Sequence, residues 1–507
     1  MKIKFILFIL FIFPELITAH LTKKIQKKIF EQNTEWKYQL CANEKNIHSP
    51  IASELLGNTF ACDSAKINNI KLSDTDSCNK KRHYLFNLTI GNAESFVISW
   101  SFSKYFLKEK NANIGFVSWG NNLRSRWQWD SDRFGNSFFV LPFSTSAYYN
   151  AARPIGFSYF ESMPFPVVGS FMWEYFGRTS RPSYNDIIYA PINATFIGEI
   201  FYRLSSSILD ERTKGAERVF KEIIGGILDP SMALSRLIKG NTFRISKEDN
   251  FQKEPLIASF LGGFNEINNG KKIGTGKVIE MLSFHFDYGN PFEDRYRKPF
   301  DFFKLNFDFT NENNRLRLNI VSGYGLLFGK NVQCDKKEML VGVFQHYDFY
   351  SSNIYKISAM ALNVGIISKL PIFKKIKFNA DFHFGIVPFG GNCKTFGIDT
   401  SKIRATNYGG GLETKLDCSI DFADVVNVKF VGNYFWMNSY VGNAENYLIG
   451  VVHPSISIKL YRNIHLGFEH FLYCSKNYTH SIHNIIFRNS EQKFFLSYHL
   501  NYSEESK

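Results

Sequence analysis

Two groups of residues in this chain have the types and spacing that chemistry needs. His346 and Asp348 stand two apart in an alternating segment, so on a strand they share a face. With a serine from a neighbouring strand they would form a hydrolase-like set. No serine of fixed geometry can be named, which favours the plainer reading of inward-facing or interfacial polar residues. The second group lies on a mostly apolar helix expected after Ser183. There Thr195, Glu199, Arg203, Ser206 and Asp210 recur at spacings of three, four and seven and form one polar stripe. Glu199 can pair with Arg203 one turn away, and Arg218 with Glu222; such pairs more often hold a helical unit together than catalyse. The functional reading is a polar site where this unit meets the lumen of a barrel. Its candidate members are Asn150, Arg153, Glu174, Asp186, Glu199, Arg203, Asp210, Glu217, Arg218, His346 and Asp348. No nucleophile elbow, HExxH motif, P-loop or dinucleotide fingerprint occurs in a usable context, so no catalytic residue, metal or cofactor is assigned.

The helices that must carry the second group lie between about Asn92 and Gly240. Ser183 with Asp186 three positions on resembles a capping box and predicts a long helix kinked at Pro191. Asp229-Pro230 predicts an N-cap followed by a first-turn proline, with Gly240 closing that helix. Gly177 should end a helix from about Pro166, and Ser144 should cap Thr145–Ala152.

The first group belongs to the strongest periodic signal in the chain, which is strict alternation. Phe303, Leu305, Phe307 and Phe309 alternate with Lys304, Asn306 and Asp308; Phe378, Ala380, Phe382 and Phe384 alternate with Asn379, Asp381 and His383. Leu412 and Leu416 oppose Glu413, Lys415 and Asp417, and Phe494, Leu496, Tyr498 and Leu500 oppose Ser497 and His499. About twelve such strands are predicted, near 255–264, 274–288, 299–310, 314–328, 336–349, 354–368, 374–388, 404–420, 425–438, 446–461, 464–474 and 490–502. A secreted sandwich would alternate too. The strand length, the Phe- and Tyr-rich apolar face and export without another anchor favour a transmembrane barrel. With the C-terminus in the periplasm, Pro371–Lys374 and Tyr461–Asn463 become periplasmic turns, and Phe389–Ile403 and Ser475–Asn489 external loops. Cys334 and Cys393 then fall on opposite rims.

Met1–Ala19 has the charged, apolar and small-residue order of a cleaved secretory signal, and no later stretch has the length and apolarity of a transmembrane helix. The seven cysteines are odd in number and lack zinc-site spacing; Cys62 and Cys78 are the pair an oxidising periplasm would join. The net charge of +14 suits anionic lipid and lipopolysaccharide, although a Lys- and Asn-rich proteome explains it more simply. Arg124-Ser125-Arg126-Trp127 reads as a membrane-surface contact; an exported chain without a recognition fold is not expected to bind nucleic acid.

From about Val97 to Gly240 the chain resembles an uncharacterised bacterial family, domain of unknown function 3943. The resemblance is carried by Trp100, Lys104-Tyr105, Trp129–Phe134, Tyr148–Arg153, Ser170–Gly177, Pro182–Asp186, Gly198-Glu199, Tyr202–Ser205 and Gly215–Arg218. Lys298–Phe303 and Phe344–Asp348 extend it into the strands. Leu141-Pro142-Phe143-Ser144-Thr145 departs from an expected His-Pro-Tyr followed by Gly. The resemblance implies a helical unit plus a barrel and brings no activity.

Together these readings predict an α+β membrane protein: signal peptide 1–19, polar periplasmic segment 20–91, helical domain 92–243, and an antiparallel outer-membrane β-barrel over 244–503. The expected role is envelope structure or gated passage of a small solute, with the helical unit as plug or periplasmic cap. The competing class is a membrane-embedded enzyme that modifies or hydrolyses lipids. Expected partners are outer-membrane lipids, lipopolysaccharide and, during biogenesis, the barrel-assembly machinery.

Overall fold

Alternating segments that cannot bury both faces in water close on themselves here. The structure is a computed structural model that describes residues 73–502 apart from short intervening stretches, the longest being 394–405. The signal segment and Cys62 lie outside the described residues. The strands are β1 Leu256–Ile267, β2 Lys277–Tyr288, β3 Phe303–Glu312, β4 Arg315–Cys334, β5 Lys337–Ser351, β6 Lys356–Phe373, β7 Ile376–Cys393, β8 Thr406–Phe422, β9 Val426–Val441, β10 Asn446–Tyr461, β11 Ile464–Thr479 and β12 Ile482–Tyr502. Each pairs antiparallel with its sequence neighbours, and β1 pairs with β12 from Leu256↔Tyr502 to Ile267↔Glu491. No strand edge is left among them.

The two ends of the barrel differ. One, the turn end, carries both barrel termini and the short β4–β5, β6–β7, β8–β9 and β10–β11 connections, together with the longer 289–302 connection. The other, the loop end, carries the 394–405 connection, so Cys334 and Cys393 stand at opposite ends by strand position. Several boundaries differ from expectation: β4 runs to Cys334 rather than 328, and β7 to Cys393, which takes in the first residues of the expected loop Phe389–Ile403. Pro371 still pairs with Lys377 inside the β6–β7 hairpin, and 475–489 is mostly strand, with Ser475 opposite Phe487 and Lys476 opposite Ile486. Ladder hydrogen bonds do not depend on side-chain polarity, so pairing continues where the apolar pattern stops.

Facing follows parity. On β6, Val364 is 61% exposed, whereas the neighbouring Asn363 is fully buried. Phe382, Phe384 and Ile386 on β7 are likewise exposed while Asp381 and His383 are buried. Apolar outside and polar inside is the polarity of a transmembrane β-barrel.

The helices are α1 Ser73–Ser101, α2 Phe116–Arg124, α3 Leu141–Ala152, α4 Tyr159–Ser162, α5 Pro164–Met172, α6 Tyr184–Ile208, α7 Gly215–Leu228 and α8 Pro230–Ile238. None of the described helices is long and apolar enough to cross a membrane alone. Ser183 caps α6, accepting from Asp186 N, and Pro191 lies inside that helix. Asp229 Oδ1 accepts from Met232 N at 2.9 Å at the start of α8. Ser144 is not a cap: a π-helical segment, Asn136–Val140, runs straight into α3, and the Ser144 hydroxyl donates back to Leu141 O. By compactness one unit ends at Ile90 and takes in Ala233–Ile245, and the other holds Gly91–Met232 and Ser246–Lys507. The second carries every candidate residue.

Candidate functional site: the sealed lumen and the bundle on the barrel wall

The helical bundle meets the barrel through outward-facing side chains. On β5, Gln345 Oε1 accepts from Tyr159 Oη at 2.7 Å, and Tyr347 Oη donates to Phe138 O at 2.6 Å. Phe349 stacks near Phe134 with ring centroids 5.7 Å apart. The residues between them, His346 and Asp348, point the other way, into the lumen. The same parity holds on β6, where Ser358 Oγ lies 2.7 Å from Tyr189 Oη, and on β7 and β8, where Phe389 and Tyr408 stack on Trp129. The expectation of a plug or a periplasmic cap is therefore corrected. The bundle lies against the outer wall, because its own uncovered faces are apolar and the lumen offers only polar or already filled positions.

Helix α6 sets the bundle's height. Its 25 residues span about 37 Å. Tyr189 sits beside Ser358 at the loop end, and Phe196 packs on Tyr347 at 5.7 Å. Arg203 reaches the turn end, where Nη2 donates to Pro299 O at 2.7 Å and the guanidinium lies 5.9 Å from the Tyr288 ring centroid. Glycines let the surfaces close. A Cβ on Gly391 of β7 would stand 2.4 Å from Phe138 Cζ. Gly391→Leu is expected to loosen docking by about 1–3 kcal/mol, as overpacking does. Limited proteolysis should then cut 133–153 faster while the folded barrel band on a gel is unchanged.

The predicted polar stripe converges inside the bundle, away from the lumen. Glu199, fully buried, accepts from Arg153 Nε at 2.6 Å, Arg203 Nε at 2.7 Å and Tyr149 Oη at 2.8 Å. Thr195 and Ser206 turn their hydroxyls back to Ile192 O and Tyr202 O. Glu174 and Asp186 belong to a second knot, in which Arg178 Nη1 lies 3.0 Å from Glu174 Oε1 and 2.9 Å from Asp186 Oδ2. Asp210 forms a third near the C-terminus of α6, 3.0 Å from Arg212 Nε, and Arg218 Nη1 donates to its carbonyl at 2.6 Å. Arg218 also pairs with Glu222 at 2.9 Å, while Glu217 is a surface residue paired with Lys221. Asn150 is buried where α3 crosses Gly198 of α6. The eleven candidates thus fall into separate sets.

Asp229 is a titratable group that sequence reasoning treated only as a cap. Burial pushes its carboxyl up to about 7, against the bond from Met232 N, which lowers it. A carboxyl raised in the fold favours the protonated folded state, so stability should fall as pH rises from about 4 through about 7 and then level off. Asp229→Asn keeps the cap without the charge. It is expected to melt a few degrees above the parent at pH 8 and no higher at pH 4.

Within the lumen, His346 is fully buried. Its Nε2 lies 3.2 Å from His383 Nδ1, and its Nδ1 lies 3.1 Å from Lys415 Nζ and 3.6 Å from Glu413 Oε1. Neither nitrogen meets a serine, so the hydrolase-like set is not assembled. Asp348 pairs with Lys415 across from β5 to β8. Lys304 of β3 reaches Asp381 of β7 at 2.7 Å, Lys493 of β12 reaches Asp308 of β3 at 2.6 Å, and Asn433 of β9 donates to Tyr350 of β5 at 3.1 Å. These bonds join strands that are not neighbours and so cross the lumen. Toward the loop end the interior becomes apolar, with Ile357, Phe435, Met437 and Tyr447 buried and Tyr355 stacked on Tyr473 at 4.3 Å. Toward the turn end Lys304, Lys429 and His285 are 28%, 39% and 39% exposed, which makes a shallow cup of mixed charge. A cavity of about 10 Å³ beside Asn265, Ser283, Asp308 and Glu491 has room for about one water. Parity in the sequence placed these polar residues inward, but which of them meet depends on the barrel's radius.

Fold and interior together define a twelve-stranded transmembrane-type barrel whose lumen is crossed by side-chain bonds, with a helical bundle on its wall. Residues 126–231, which make up most of that bundle, match the family described as Domain of unknown function (DUF3943). No curated protein matches the chain in sequence. Among solved structures it is similar to the outer membrane channel DcaP of Acinetobacter baumannii, at 9% identity over 49% of this chain and 98% of that one, TM-score 0.22. It is also similar to the NanC porin, at 9% over 48% and 98%, TM-score 0.25. The Pseudomonas putida toluene transporter TodX gives 9% over 49% and 89%, TM-score 0.19. Likenesses this slight say nothing of cargo or mechanism; the barrel rests on its own strand pairing.

Proposed function

We propose that this protein is an exported outer-membrane barrel, closed to solutes at rest, that serves envelope structure by holding a helical bundle in the membrane against its outer wall. The cross-lumen bonds carry this reading, above all Asp348 to Lys415, Lys304 to Asp381 and Lys493 to Asp308. A pore needs a continuous watery path, and here charges tie the middle while aromatic rings fill the loop end. Both barrel termini face the periplasm, so the cup, which lies at their end, opens there. The bundle leaves Phe143, Val167, Phe171, Ile188 and Ile192 partly uncovered. Such a surface invites association in water but suits acyl chains. The bundle's most buried charges, Glu199 with Arg153 and Arg203, are paired within it, which lowers the cost of burial in lipid.

Gated passage is the second reading, favoured by the polar cup, and it requires the Asp348–Lys415 contact and the Tyr355–Tyr473 stack to part. A lipid enzyme has less support, since both candidate centres, Glu199 and His346, have their polar atoms engaged by protein groups. Planar-bilayer recording of the purified chain tests the proposal: it should show no steady open-channel steps. Persistent conductance from the unmodified chain would overturn it.

A further inference from the structure

The loop-end shoulder of the bundle differs in charge from its turn-end helix. Between Trp100 and Trp127 the chain carries Lys104, Lys108, Lys110, Arg124 and Arg126 against one acid, Glu109; Asp130 and Asp132 follow only after Trp129. By contrast α7, at the turn end, balances its charges in the pairs Arg218–Glu222 and Lys221–Glu217. The shoulder is fixed at the loop end by several contacts. Trp119 Nε1 donates to Phe176 O at 2.9 Å, Asn122 Nδ2 donates to Arg178 O at 2.8 Å, and Trp127 packs on Tyr184 at the start of α6 at 5.3 Å. Trp129 then stacks on Phe389 and Tyr408 near the loop ends of β7 and β8.

Helix α2 projects an apolar tip from this basic ground: Phe116, Val117 and Leu123 are 86%, 79% and 60% exposed. Lys108 and Lys110 before it in the chain, Arg124 at its end and Arg126 just after are exposed, and Lys104 Nζ sits 4.7 Å over the Trp100 ring. Four of the chain's seven tryptophans fall between 100 and 129, the density expected of a segment at a membrane–water boundary. We infer that this shoulder is a binding surface for the phosphorylated, acylated glycolipid of the outer leaflet. The α2 tip enters the acyl region and the cations face the sugar phosphates. Charge complementarity selects this occupant: a zwitterionic leaflet would satisfy the apolar tip but would leave five cations with one acid between them. The inference rests on the outward orientation of the loop end in the reading above.

The test places the photoreactive residue p-benzoylphenylalanine at Phe116 in the full chain, in vesicles of phosphatidylcholine containing a minor share of lipid A. Adducts are then identified by mass. The same residue at Phe384, on the outward face of β7, serves as the membrane control. Lipid A adducts at 116 should exceed its share in the vesicle, and Arg124→Gln with Arg126→Gln should cut that enrichment by about fivefold for each cation removed. Enrichment at 384 should be absent. Lipid adducts at 384 with no lipid A preference at 116 would overturn the site while leaving the barrel in the bilayer. An adduct at 116 to a second copy of the chain would also overturn it. No lipid adduct at either position would sink the membrane reading itself.

Discussion

Glu199→Ala is expected to release the helical bundle from the barrel wall while the barrel stays closed. The substitution leaves Arg153 and Arg203 facing one another with their shared carboxylate gone, and removes the acceptor of Tyr149 Oη. Neither guanidinium can turn to water without moving a helix, since Glu199 lies on the face of α6 that packs on α3 and is fully buried. Breaking a buried ion pair from one side costs about 3–5 kcal/mol, several times the worth of an exposed pair. Thermal melts followed by helical circular dichroism should shift down strongly, and trypsin should reach Arg153 and Arg203. Glu199→Gln should fall between, because it keeps an acceptor without the charge. An unshifted helical melt in the alanine variant would show that the bundle is held by its aromatic contacts alone.

Lys415→Ala should have a comparable effect on the barrel itself. Lys415 is the cation shared by Asp348 and Glu413, and its loss leaves two buried carboxylates facing each other inside the barrel. Coulomb repulsion at low dielectric cannot be relieved by turning outward, since strand parity fixes both side chains inward. The folded band should unfold on heating in detergent at a markedly lower temperature, with a penalty of about 3 kcal/mol or more. Adding Asp348→Asn should recover part of it, because the double variant carries one fewer unpaired charge. If Lys415→Ala melts as the parent does even at alkaline pH, where neither carboxylate is relieved by taking up a proton, water already reaches this cluster and the lumen is not sealed at its centre.

The barrel was legible in the sequence because a strand with one wet and one apolar face must write its parity into every second residue. Phe303–Phe309 and Phe494–Leu500 did so plainly. Strand ends beyond the apolar belt were not legible: the β11–β12 hairpin continues through polar residues that pair by backbone alone. The Glu199–Arg203 and Arg218–Glu222 pairs were foreseen from spacing along one helix. Tyr149 and Arg153, which complete the first, come from another helix and have no local signature. The side of the wall on which the bundle lies was read wrongly, yet it left a trace. Gln345 and Ser358 are polar residues at outward parity with apolar outward neighbours such as Val343, Tyr347, Met360 and Leu362, and both prove to be hydrogen-bond partners of the bundle. A polar residue on the lipid side of a barrel strand is a mark of something covering it.

The placement of the bundle on the outer wall is open to direct measurement. Nitroxide labels introduced at Phe171 and Ile188, in a chain whose native cysteines are replaced, distinguish the outer wall from the lumen when the protein is in lipid vesicles. The outer-wall arrangement predicts frequent collision with oxygen dissolved among the acyl chains and little with an aqueous nickel chelate. Collision chiefly with the chelate, or shielding from both, would place these helices in water or inside the barrel and contradict the account.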